Sequence, residues 1–208
     1  MSHEVVGKQQ VLNAERGIGV THPLFPIIEK HTFSSKEDFK VFAKEIAEVG
    51  EFSLGPLDLI AIWSKQKNII TTSEKAYTFA RTLSLAYAVK NLENPEWKKV
   101  PELFLDKPEF PAGLRKDKDA VRQVRDRINY LEEMVNEGYF AAYGFNPMQK
   151  ATELVNRFLK GDESARGELE DLRKKTEEVK TPLLDQLSEN LANGIGPIYH
   201  AIEEALEE

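Results

Sequence analysis

The side chains with the plainest chemical potential in this chain of 208 residues are four cations on one predicted helix: Arg115, Lys118, Arg122 and Arg125. Steps of three, four and three residues stack them on a single helical face, with Lys116 and Arg127 beside it. Guanidiniums in a row, planar and permanently charged, suit bidentate contact with phosphate. The interleaved Asp117, Asp119 and Asp126 offer the same cations an internal use, as a salt-bridged surface. A second basic group, Lys65, Lys67 and Lys75, surrounds the turn after Trp63, and the N-terminal segment adds Lys8, Arg16 and Lys30. Residues 161–208 carry thirteen acidic and five basic side chains, net −8, which leaves 22 acidic and 23 basic, net +1, over residues 1–160. A polyanionic partner is therefore expected on the first 160 residues, with the segment from 161 facing away from it.

Other chemistries find little support. With no cysteine there are no disulfides, thiolate metal sites or cysteine nucleophiles. The four histidines, His3, His22, His31 and His200, are scattered, so no metal site is expected. Gly17-Ile18-Gly19 continues as Val20-Thr21-His22, without the third glycine or the lysine of a phosphate-cradling loop. Glu132-Glu133 and Glu170-Asp171 are the basis for one alternative, a magnesium-dependent all-α nucleotide hydrolase, but adjacent acids on a helix read as its solvated face. No catalytic residue and no cofactor is expected. At 41% hydrophobic and 30% charged residues the composition is that of a soluble globular protein, with no apolar run of the ~18 residues a membrane span needs. The start, Met1-Ser2-His3-Glu4, does not read as a secretory signal. Few Cys and Met beside many Glu and Lys fit a thermophilic source.

The elements that must position the cations are helical throughout. Residues 1–33, interrupted by Gly7, Gly17, Gly19, Pro23 and Pro26, are expected as an extended arm laid across a partner, with at most a short helix around 9–16. From Ser34 the helical grammar is clear. Ser34 and Glu37 read as a capping box, and Phe39, Phe42, Ile46 and Val49 follow at helical spacing. Gly55-Pro56 opens a second helix and Thr72-Ser73 caps a third. Pro95, Pro101, Pro108 and Pro111 break the next stretch, although its aromatics argue that it packs down. A fourth helix spans about 117–136, a fifth 147–160 stopped by Gly161, and a charged one 164–179. Thr181-Pro182 starts another, to about 192, and Gly196-Pro197 opens the last. The fold class is all-α: an arm (1–33), a helical bundle core of four-helix type (34–160) and an acidic helical C-terminal extension (161–208).

Between the fourth and fifth helices, residues 138–147 place Tyr139, Phe140, Tyr143 and Phe145 among alanine and glycine with no charge at all. Read as a loop, this run must be buried, in its own core or against another subunit, and these four aromatics are the candidate subunit interface.

Thr32-Phe33-Ser34-Ser35-Lys36-Glu37 with Ala47-Glu48-Val49-Gly50, Leu54-Gly55-Pro56 and its apolar helix, and the run from Tyr139 to Pro147 resemble the major coat proteins of filamentous and rod-shaped viruses of hyperthermophilic archaea. The resemblance implies a four-helix-type coat domain preceded by an arm. Paired subunits, either copies of one chain or two homologous coat proteins, clamp double-stranded DNA in the A form. They stack helically into a virion that assembles in the host cytoplasm. A DNA coat needs sequence-independent phosphate contacts and an apolar surface for its neighbours. The alternative from the interaction class is a cytoplasmic all-α adaptor subunit of a thermophile ribonucleoprotein complex.

Overall fold

The structure, a computed structural model, describes residues 3–17, 19, 21–179 and 182–208, and among these it is all-α with no strand. Eleven α-helices follow in order: α1 (His3–Glu15), α2 (Phe25–Ile28), α3 (Lys36–Glu48), α4 (Pro56–Gln66), α5 (Ser73–Val89), α6 (Val100–Phe104), α7 (Ala112–Lys116), α8 (Lys118–Tyr143), α9 (Pro147–Leu159), α10 (Ser164–Val179) and α11 (Pro182–Glu207). The cap expected at Thr181 lies outside the described residues.

The core forms around α5, in which every residue from Thr82 to Val89 is buried. A helix with no solvated side must be enclosed on all sides. Here α3 and α6 cover one flank while α8 and α11 cover the other. The aromatic side chains expected on one face of the helix after Ser34 meet across this boundary, with Phe33, Phe42 and Phe79 in edge and stacked contacts 5.0–5.3 Å between centroids.

Three expectations change. The segment read as an extended arm is helical over His3–Glu15 and lies on α4 and α8. Val11, Ala14, Leu24 and Ile28 have no exposed surface, and the Ser64 hydroxyl donates to the Glu15 carbonyl. Gly7 does not interrupt α1. It faces the Ala141 backbone so closely that an added Cβ would strike that carbonyl, so its missing side chain permits the contact between α1 and α8.

Residues 138–143 are not a loop either. The apolar rhythm Val121, Val124, Ile128, Leu131, Val135 continues into Tyr139 and Ala142, and α8 runs on to Tyr143. Gly138 admits the side chains of Leu184 and Ile60, which would lie 3.3 and 3.5 Å from its Cβ. The stop falls at Gly144, whose left-handed φ of 77° closes the helix. Asn146 then caps α9 by accepting from the N–H groups of Met148 and Gln149 at 3.0 and 3.2 Å.

The C-terminal quarter is not one extension. Only α10 stands off, paired with α9 as a hairpin, whereas α11 packs on α5, α8 and α4. Gly196-Pro197 lies inside α11, because Leu184, Leu187, Leu191, Ile195, Ile198, Ile202 and Ala205 keep one buried face across it. Burial of that face outweighs the ~3 kcal/mol a helical proline costs. The acidic side chains of α11 lie on its outer surface; Glu203, Glu204, Glu207 and Glu208 are exposed.

The crossing of α11 over α5 yields a paired test. A Cβ on Gly194 would sit 2.8 Å from the Tyr77 carbonyl oxygen and 3.2 Å from the Arg81 backbone nitrogen, whereas one on Gly196 meets nothing. Gly194→Ala should cost about 1–3 kcal/mol in denaturant unfolding. Gly196→Ala should be neutral or stabilising by about 0.5–1 kcal/mol. Equal effects would show that α11 does not cross α5 at Gly194.

The entry to α3 yields a second. Ser35, not Ser34, is its N-cap and accepts from the Asp38 N–H at 3.2 Å. Phe33 sits at a φ of 50°, held there as the Asp38 carboxylate accepts from the N–H groups of Thr32 (3.0 Å) and Phe33 (2.5 Å) and from His31 Nδ1 (2.6 Å). Burial pushes the Asp38 carboxyl up, but these hydrogen bonds together outweigh it and hold the pKa below the ordinary 3.8. A depressed folded value means the stabilisation is complete above the unfolded pKa and disappears as pH falls through the folded one. Asp38→Asn should therefore cost about 1–3 kcal/mol at pH 7. Urea unfolding should show that gap closing below about pH 3.8; a gap unchanged at pH 3 would contradict the assignment.

Candidate assembly and nucleic-acid interface

The four cations expected on one helix lie on two, because Asp117 ends α7 after Arg115 and caps α8 before Lys118, and the row divides there in its use as well. Arg115 makes a bidentate pair with Glu208, both contacts 2.7 Å, and reaches Glu204 at 3.7 Å. Lys118 donates to the Ala205 carbonyl. Both cations are thus spent inside the chain on the end of α11, where free carbonyls and the negative end of the helix dipole favour positive charge. The hydrogen bonds to Glu208 hold the Arg115 guanidinium above its ordinary pKa. Arg122 is exposed and Arg125 half-buried, and among the described residues each pairs with a near neighbour on its own helix, Asp119 at 2.9 Å and Asp126 at 3.0 Å. Exchange of such surface partners for phosphate costs little. Arg127 turns inward, donating to the Tyr87 carbonyl at 3.1 Å with its guanidinium 5.1 Å from the Tyr87 ring.

The remaining basic residues are dispersed. Lys65 pairs with Glu29 at 2.5 Å and lies over the Phe25 ring. Lys67, Arg16 and Lys30 are exposed, and Lys8 is half-buried on α1. Lys75 lines a cleft at the start of α5. The ten cations expected to contact phosphate are not gathered on one face by any single helix. The carboxylate pairs weighed for magnesium are likewise apart: Glu132 and Glu133 are exposed, Glu170 pairs with Arg173, and Asp171 with Lys174.

Two of the four interface aromatics are internal. Tyr139 is buried, its hydroxyl donating to Asp185 at 3.0 Å; burial, together with that neighbouring carboxylate, pushes its pKa far up. Tyr143 is buried beside it, the rings stacked at 6.1 Å, and Phe145 packs half-buried against the same cluster. Phe140 alone points out, 52% exposed.

The larger apolar surface is one the sequence reading passed over. Along α9, Met148, Thr152, Val155 and Leu159 fall on one stripe, since steps of four, three and four residues return to the same side of a helix. Leu159 is 75% exposed, Met148 60% and Val155 44%, with Phe158 beside them at 39%. The opposite side of α9, through Leu154, closes on α10. Met148 and Thr152 also form one wall of a groove of about 420 Å3, whose other walls are Val135 and Asn136 of α8 and Leu191 and Ala192 of α11. The hairpin that presents this stripe is rigidly tied. Gly161, at a φ of 95°, ends α9, and Arg157 clamps Asp162 (2.7 Å) and Glu168 (2.8 Å) of the return. The signal was present in the helical spacing of Val155 and Leu159, but the neighbouring aromatic run drew the interface assignment instead.

Among the described residues no cluster of His, Cys, Asp and Glu has the arrangement of a metal site, and no helix is long and apolar enough to cross a membrane. No protein-family model, no curated protein and no solved structure matches the chain.

The split stripe predicts two behaviours within one row. Arg115→Gln should speed amide exchange over the last turn of α11, around Ala205, by releasing Glu208 and Glu204. Arg122→Gln should leave exchange there unchanged. Loss of protection in both variants would show that the row acts as one surface.

Proposed function

We propose that the chain is a structural subunit that assembles side by side with copies of itself or with a homologous second coat protein. In the fuller form of this reading it is a major coat protein of a filamentous virus of a hyperthermophilic archaeon. It coats double-stranded DNA, held in the A form, through its backbone, and assembles into a virion in the host cytoplasm. The observation that carries the assembly reading is the bare apolar stripe Met148–Val155–Leu159 with Phe158, presented on a clamped hairpin beside an open groove. Contiguous apolar surface of this kind marks an interaction site. A second subunit that lays apolar side chains against α9 and into the groove removes it from water, in the manner of a helix seated in a groove.

The nucleic-acid part is supported by the exposed side of the cation row, Arg122 and Arg125, and by the resemblance to archaeal viral coats. With Arg115 and Lys118 committed to α11, that contact is narrower than four residues. Backbone contacts of this type carry no sequence preference and weaken steeply with salt. The acidic outer surface of α11, which carries no lysine or arginine, belongs on the side away from DNA. The whole segment 161–208 cannot be removed to show this, because α11 is a core helix.

The test is a charge placed in the stripe. Val155→Glu with Leu159→Glu adds two carboxylates to surface already in water, so thermal stability should stay within about 0.5 kcal/mol of the parent. Large assemblies seen by size exclusion and electron microscopy should collapse to the single chain. Assemblies unaffected by the pair would remove α9 from the interface, and a parent protein monomeric at all concentrations would favour the adaptor alternative.

A further inference from the structure

Two long helices begin at one cleft. Ser35 and Thr72 are the N-caps of α3 and α5, and both stand on the wall of a cavity of about 550 Å3 with Lys36, Lys75 and Arg81. Each cap serves one N–H, that of Asp38 and that of Lys75. Among the described residues the N–H groups of Lys36, Glu37, Ser73 and Glu74 have no acceptor, so the positive ends of two helices meet there.

The basic side chains of this cleft are out of balance with its acids. Lys36 reaches Asp106 at 2.5 Å. Lys75 and Arg81 have no carboxylate within ion-pair distance among the described residues. The Arg81 Nε is sealed from solvent and makes no hydrogen bond. Burial pulls the guanidinium below its ordinary pKa with no neighbouring charge to oppose it. Arg81 as a whole is half-buried, so only its Nε–H is held out of water without an acceptor, and that orphaned donor costs stability. Glu74 is the carboxylate on this wall; it is exposed, and its backbone carbonyl is taken by Thr78 at 2.8 Å. Phe33 and Phe39 supply apolar walls that raise the strength of any charge contact inside.

We propose that this cleft binds a phosphoryl group, with Arg81 and Lys75 as its cationic ligands and the N-termini of α3 and α5 as its backbone donors. Arginine and free helix N–H groups together form the usual recognition of a phosphate oxygen set. The phosphoryl group belongs either to a small phosphorylated compound or to a nucleic-acid backbone. The site holds whether or not the chain coats DNA.

Thermal unfolding and calorimetry of the full chain test this, with inorganic phosphate titrated against chloride at matched ionic strength. Phosphate should raise the Tm saturably and bind the parent. Arg81→Gln and Lys75→Gln should each weaken that binding tenfold or more, and circular dichroism checks that they fold. Lys75 is near the surface, so its variant reads the site even if Arg81→Gln unfolds. In phosphate-free buffer Arg81→Met should leave the Tm unchanged or raise it, because the uncompensated charge is gone, whereas an arginine kept for structure predicts a fall. A short mixed-sequence duplex that displaces phosphate, or that binds through Arg81 when free phosphate does not, assigns the group to a nucleic-acid backbone. Phosphate binding without competition assigns it to a small compound. Absence of any phosphate or duplex binding that depends on Arg81 or Lys75 overturns the proposal.

Discussion

The close passage of α11 over α5 is the constraint on which the rest of the structure depends. α5 is buried around its whole circumference from Thr82 to Val89, so it requires a partner on every side. The last side is closed by α11, which approaches until the Gly194 backbone lies against that of Tyr77 and Arg81. At such a distance dispersion contacts are dense and a single methyl group is felt. Once α11 is committed there, its outer end needs a counter-charge, and Arg115 and Lys118 of the α7–α8 junction supply it. The first two cations of the row therefore act on the fold, while Arg122 and Arg125, further along, are left at the surface.

The same crossing decides where the acidic character resides. Thirteen acids follow residue 160, which reads as a separable tail when the sequence is taken as a line. In space they divide between the hairpin, on α10 and the turn before it, and the solvent side and end of α11, whose other side is core. Charge composition by segment cannot distinguish a detached tail from an amphipathic helix laid across a bundle. Periodicity can: Leu184, Leu187, Leu191, Ile195, Ile198 and Ile202 continue in step through Gly196-Pro197.

The helical character and most element starts were legible because they rest on local chemistry. The caps at Thr72 and Asn146 are settled within a few residues, as is the glycine at 161. What was illegible depends on partners distant in sequence. Gly7 and Gly138 look like helix breaks, and their reason is Ala141 in one case and Leu184 with Ile60 in the other. Tyr139 and Tyr143 were expected in a buried run, and they are buried, but Phe140 between them is not, because a helix turns it outward where a loop need not. Of the basic residues, the sequence shows which could meet phosphate. Only the fold shows that Arg115 and Lys118 are occupied and that the Nε of Arg81, a residue that spacing does not single out, has no hydrogen-bond partner among the described residues.

The single chain leaves an apolar stripe along α9 in water, and elsewhere Arg122 and Arg125 are held at its surface by neighbours on their own helix. Sedimentation of the purified chain across a range of concentrations, alone and with a mixed-sequence DNA duplex at low salt, tests this most directly. The account predicts species far larger than the 23.7 kDa chain, growing with concentration and extended further by the duplex. A single 23.7 kDa species at every concentration, with the duplex sedimenting separately, would contradict it.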